Sequence, residues 1–96
     1  MYIITTSILM YIIDSFSFNC SNNQLSNLKY CPRIVGGDFN CSNNQLLTLL
    51  GGPEMVGEDF NCSHNELTSL EFCPKEVENR FDCSNNKINS FLKIPE

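Results

Sequence analysis

A period of 21 residues constrains this chain more than any other feature. Residues 18–38 read FNCSNNQLSNLKYCPRIVGGD, 39–59 read FNCSNNQLLTLLGGPEMVGED, and 60–80 read FNCSHNELTSLEFCPKEVENR. Residues 81–96 begin a fourth copy, FDCSNNKINSFLKIPE, that stops at its Pro-Glu. Phe18, Phe39, Phe60 and Phe81 fall in register, as do Cys20, Cys41, Cys62 and Cys83, and Asn23, Asn44, Asn65 and Asn86. Leu25, Leu46, Leu67 and Ile88 follow, then Leu28, Leu49, Leu70 and Phe91, then Pro32, Pro53, Pro74 and Pro95, with Val35, Val56 and Val77 closing each full unit. A unit this short cannot bury its own apolar edge, whereas units stacked side by side bury a continuous one.

Each column has a physical reading. In an extended segment side chains alternate, so Phe-x-Cys sends two apolar groups to one face. The Asn that follows carries donors and an acceptor able to satisfy backbone groups where the chain bends out of the strand. The Pro suits an extended return path, because it donates no hydrogen bond. No copy sustains the i, i+3, i+4, i+7 apolar pattern of a helix. Strands are predicted near 17–20, 38–41, 59–62 and 80–83.

The run Phe-x-Cys-x-x-Asn-x-Leu resembles the leucine-rich repeat signature L-x-L-x-x-N-x-L, with Phe and Cys in place of the two strand leucines. The resemblance covers residues 16–96 and is nearest to the short Phe/Cys-bearing variety common in phage, large DNA virus and bacterial proteins. It implies a β-rich solenoid: a right-handed coil with a parallel sheet of about four short strands and an irregular or extended convex side. Two departures stand out. The first Leu of the family pattern falls at Ser15, Gly36, Gly57 and Glu78, so Ile13, Ile34–Val35, Val56 and Val77 are expected to fill that role slightly earlier. Neither end carries a recognisable capping repeat.

Residues 18–96 thus form the repeats (18–38, 39–59, 60–80 and the partial 81–96), and residues 1–17 read as a degenerate half-repeat or N-terminal cap. Within it, residues 2–13 are an uncharged apolar run, too short for the roughly 17–25 residues of a membrane helix. No Lys or Arg precedes Lys29, which argues against a signal peptide. A shift of one period puts Ile4 on the Leu25 column and Ile13 on the Ile34 column.

The repeats are poor in catalytic raw material. Cys20, Cys41, Cys62 and Cys83 occupy an inward column and read as small buried hydrophobes. Cys31 and Cys73 share another column two units apart, roughly 10 Å at sheet spacing, too far for a bridge. There is no Cys-x-x-Cys, and the single His64 cannot complete a Cys/His zinc set. Cys62 precedes His64 by two residues but faces the core, so the pair is not expected to act as a nucleophile and base. No metal site and no cofactor are expected. Free thiols suit a reducing, intracellular (cytoplasmic) location, where the Asn-Cys-Ser sequons at Asn19, Asn40 and Asn61 are by-products of the repeat.

With six Lys and Arg against eleven Asp and Glu the chain carries −5, which excludes the basic patch that nucleic acid requires. In leucine-rich repeat proteins the strand face usually meets the partner, and this resemblance assigns that role to Asp38, Asn40, Ser42, Asn43, Asp59, Asn61, Ser63, His64, Arg80 and Asp82. Asp38, Asp59 and Asp82 read as solvated repetition rather than a cation site, and Arg80 is placed to pair with Asp59. The expected function is a non-enzymatic protein–protein interaction module with a polar concave sheet face and an unidentified protein partner. The alternative is a structural remnant or piece of a longer array, self-associating or continuing at exposed ends. Four strands of about four residues project on the order of 200 Å² at sheet spacing, well short of the about 800 Å² a standard partner contributes.

Overall fold

The computed structural model describes residues 12–13 and 16–89. It is all-β, with eight two-residue strands and no helix among the described residues. The strands are β1 (Ile12–Ile13), β2 (Phe18–Asn19), β3 (Ile34–Val35), β4 (Phe39–Asn40), β5 (Met55–Val56), β6 (Phe60–Asn61), β7 (Glu76–Val77) and β8 (Phe81–Asp82). They make two parallel four-stranded sheets, ordered β1-β3-β5-β7 and β2-β4-β6-β8. Phe18 pairs with Phe39, Phe39 with Phe60 and Phe60 with Phe81, so the sequence period is the register of the second sheet.

That sheet lies within the segments expected from the Phe-x-Cys pattern. The other sheet corrects the expectation of a single sheet with an irregular far side. Ile34–Val35, Met55–Val56 and Glu76–Val77 also pair in register at 21-residue steps. Two of these pairs are rich in the bulky and β-branched residues that strands favour, and their valines meet the core.

The N-terminal register departs from the repeat. Ile12 pairs with Ile34 and Ile13 with Val35, a step of 22. Four residues, 14–17, separate β1 from β2, where three, 36–38, separate β3 from β4. Ile13 therefore stands beside Val35, not on the Ile34 column as the uniform shift predicts. The rest of the N-terminal half-repeat reading, and residues 90–96 of the fourth copy, lie outside the described residues.

The core runs through the middle of the stack. Phe39, Phe60, Cys41, Cys62, Val35, Val56, Leu46, Leu67, Leu28, Leu49 and Leu70 are all buried. The Phe column is a ladder: ring centroids lie 5.3 Å apart for Phe18–Phe39 and 5.6 Å for Phe39–Phe60, both stacked, and 5.2 Å for the tilted Phe60–Phe81. Such separations fall in the range where aromatic pairs attract beyond simple burial.

A second ladder holds the polar interior. The Asn44 amide donates to the carbonyls of Cys20, Cys41 and Ser42, and its Oδ1 accepts the Leu25 N–H at 3.0 Å. Asn65 repeats this one unit on, and Asn86 repeats it again. Each Asn therefore ties its own bend to the preceding copy. Among the described residues, every fully buried side-chain nitrogen or oxygen has a hydrogen-bond partner.

Candidate interaction surface

The polar edge beside the Phe-Asn strands is built from a bracket repeated in every copy. Asn40 Oδ1 accepts both the N–H of Ser42, at 3.0 Å, and its hydroxyl, at 2.7 Å. Asn61 holds Ser63 at 2.9 and 2.7 Å, and Asn19 holds Ser21 at 2.9 and 2.6 Å. In the fourth copy Asp82 takes the Asn position and holds Ser84 at 3.0 and 2.7 Å. The Ser84 hydroxyl and N–H keep the Asp82 carboxyl below its ordinary value, since both bonds favour the charged form.

The residue after each Ser then turns left-handed: φ is 58° at Asn22, 56° at Asn43, 55° at His64 and 56° at Asn85. Asn adopts this region more readily than most side chains. These four side chains are exposed and lie one above another. Asn85 and His64 are joined across one unit at 3.2 Å, Asn85 Nδ2 to His64 Nε2.

The ten residues assigned to the partner face divide into three groups. Asn43, His64, Arg80 and Asp82 are exposed, and Asn40 and Asn61 are half-buried with their oxygens committed to serines. Ser42 and Ser63 are only 5% exposed, which corrects their assignment to an open face. Asp38 and Asp59 face the backbone of the next copy: Asp38 Oδ1 accepts the Asp59 N–H at 2.9 Å, and Asp59 Oδ1 accepts the Arg80 N–H at 3.0 Å and the Asn79 amide at 2.7 Å. Arg80 therefore meets Asp59 through its main chain and not through the expected ion pair. Arg33 and Glu54 do form an ion pair, on the opposite return path. No group of three or more His, Cys, Asp or Glu converges among the described residues.

All six thiols are free. Cys41 and Cys62 are fully buried, and desolvation is the main force raising both, Cys41 to about 12. Cys62 is enclosed, while His64 is exposed and bonded to Asn85. Column reasoning missed one contact. Cys31 and Cys20 of the same unit act on each other, the neighbouring thiol lowering the Cys20 pKa and raising that of Cys31. Comparing columns across copies shows what stacks but not what meets across the core.

Also missed was the return corner. Tyr30 and Phe72 occupy one column with Gly51 between them, and all three have positive φ: 68°, 70° and 93°. Glycine among aromatics was the available signal, since a column containing Gly marks a backbone conformation that costs its other occupants.

No family model, curated protein or solved structure matches the chain.

Proposed function

We propose that the chain is a leucine-rich-repeat-type right-handed solenoid serving as a non-enzymatic protein-interaction module. Its recognition edge is the row Asn22, Asn43, His64 and Asn85 with the neighbouring Arg80 and Asp82. The observation that carries this reading is the bracket beneath the row. Each copy uses an Asn or Asp oxygen to fix a Ser, and so presents the following side chain outward at a constant left-handed φ. Polar groups held this way lose little conformational freedom on binding, which is where rigid recognition surfaces gain affinity. The edge has no Trp, Tyr or Phe in its row, so affinity is expected to be modest.

The test is affinity capture from cells of the source with wild type, with Asn43→Lys/His64→Glu, and with Tyr30→Gly as a control on the other corner. Both altered row positions are exposed, so the variants should fold, which circular dichroism checks. A partner retained by wild type and control but lost by the double variant supports the proposal. Equal recovery of every protein by all three rejects it.

A further inference from the structure

The return corner is where the molecule spends strain on exposed aromatic surface. Tyr30 is 83% exposed at φ 68°, and Phe72 is 51% exposed at φ 70°. A bulky side chain in the left-handed region is strained against its own backbone. Glycine, which the second copy uses at Gly51, avoids that strain. Packing within the molecule gives little return for a ring as open as Tyr30.

The column leaves a gap of one rung. Tyr30 belongs to the first copy and Phe72 to the third, about 10 Å apart at sheet spacing. Between them Gly51 carries no side chain. On its Phe72 side the gap opens into a cavity of about 210 Å³ lined by Leu50, Gly51, Phe72, Arg33, Glu54 and Lys75, while toward the first copy a Cβ at Gly51 would lie 3.0 Å from the Leu28 carbonyl oxygen. The cavity volume is below the roughly 300–1,000 Å³ of small-molecule sites and on the scale of a single aromatic side chain.

We propose that this corner binds a second copy of the same chain, the Tyr30 ring of each entering the Gly51 gap of the other. A two-fold axis lying across the corner, midway between the first and second copies, reverses the stacking direction and sets each position of the first copy opposite the same position of the second. Tyr30 then meets the partner's gap and lies one rung, about 5 Å, from both Tyr30 and Phe72 of that partner, a spacing at which rings stack. The result is a four-ring column. The same axis places Arg33 of each chain opposite Glu54 of the other. These residues already pair within one chain, and their side chains remain 44% and 43% exposed, so the dimer would close a quartet of alternating charge. This charge complementarity, together with a ring and a vacant rung one unit apart on one face, favours a second copy over an unrelated protein. The contact is isologous and so stops at two.

Analytical ultracentrifugation across a concentration series tests it with three variants. Wild type should show a monomer–dimer equilibrium with no larger species. Tyr30→Gly should weaken dimerisation at least about tenfold, as loss of a central aromatic anchor does, while its thermal midpoint, taken at a concentration where both proteins are monomeric, does not fall, because the glycine relieves the backbone. Arg33→Glu should weaken dimerisation, and Arg33→Glu/Glu54→Arg should recover it. A wild-type chain still monomeric at ~1 mM overturns the proposal, since no useful affinity remains there. So does a dimer indifferent to Tyr30→Gly, or an assembly that grows past two, which marks end-to-end stacking instead.

Discussion

Asn65 accepts the main-chain N–H of Leu46 at 3.0 Å, a bond between residues 19 apart in sequence. The same amide donates to the carbonyls of Cys41, Cys62 and Ser63. One side chain thus satisfies four backbone groups over two copies, in a part of the molecule closed to water.

Removing it should be costly. Asn65→Ala leaves those groups buried without partners and should lose about 3–5 kcal/mol, a large part of the stability of a chain this size. Asn23→Ala is the contrast. Asn23 is exposed and donates to Cys20 and Ser21, which are half-buried, and the Cys20 carbonyl keeps the Asn44 amide as a second donor, so about 1 kcal/mol is expected. Urea unfolding of both variants measures the difference; equal losses would show that the ladder is not a stabilising element.

Backbone proximity predicts a second sensitive site. A Cβ added to Gly57 would lie 2.2 Å from the carbonyl oxygen of Gly36, which belongs to the backbone of the neighbouring copy and cannot rotate away. Gly57→Ala should cost about 3 kcal/mol through forced separation of the units. Thermal unfolding checks it, and a midpoint within a degree of wild type would contradict the close approach.

How much of this was legible beforehand depended on the kind of information a column carries. Phe39 over Phe60 and Cys41 over Cys62 follow from a strict period, because parallel stacking sets like on like. The strands at Phe39–Asn40 and Phe60–Asn61 were readable for the same reason. The second sheet was harder to see: Met55–Val56 and Glu76–Val77 are two-residue strands with no alternation to detect, and only their backbone register defines them. Burial of Ser42 and Ser63 was hidden because a polar residue two places after Asn40 or Asn61 looks solvated until the bracket folds it inward. Asp59 was misjudged similarly, since its preferred partners are the Arg80 N–H and the Asn79 amide. The extra residue between β1 and β2 has no mark in the sequence, which there departs from the repeat.

The thiols should react in an order set by burial and by one contact. Cys20 is half-buried and its pKa is lowered by the neighbouring Cys31 thiol, so it should alkylate first at neutral pH. Cys41 and Cys62 should be slowest. Native labelling with N-ethylmaleimide followed by peptide mass spectrometry gives the order. Cys31→Ala should slow Cys20, because the neighbouring thiol that lowers its pKa is gone. Since the folded Cys41 value of about 12 exceeds its ordinary 9.0, the sign is fixed: its contribution is intact below pH 9.0 and lost as pH rises further.

Asp82 sets the acid side. Its folded pKa is lowered by the Ser84 hydroxyl and N–H, so its contribution to stability is complete above the ordinary value of 3.8 and fades as pH falls through the lower folded value. The carboxylate is almost wholly solvated, and the effect should be correspondingly small. Asn19, Asn40 and Asn61 hold the same bracket without a charge. Asp82→Asn should therefore keep both hydrogen bonds while flattening the loss of stability between pH 3.8 and more acidic conditions. Thermal midpoints of wild type and variant across that interval decide the matter. Parallel curves would place the acid sensitivity on other carboxylates and remove Asp82 from the account.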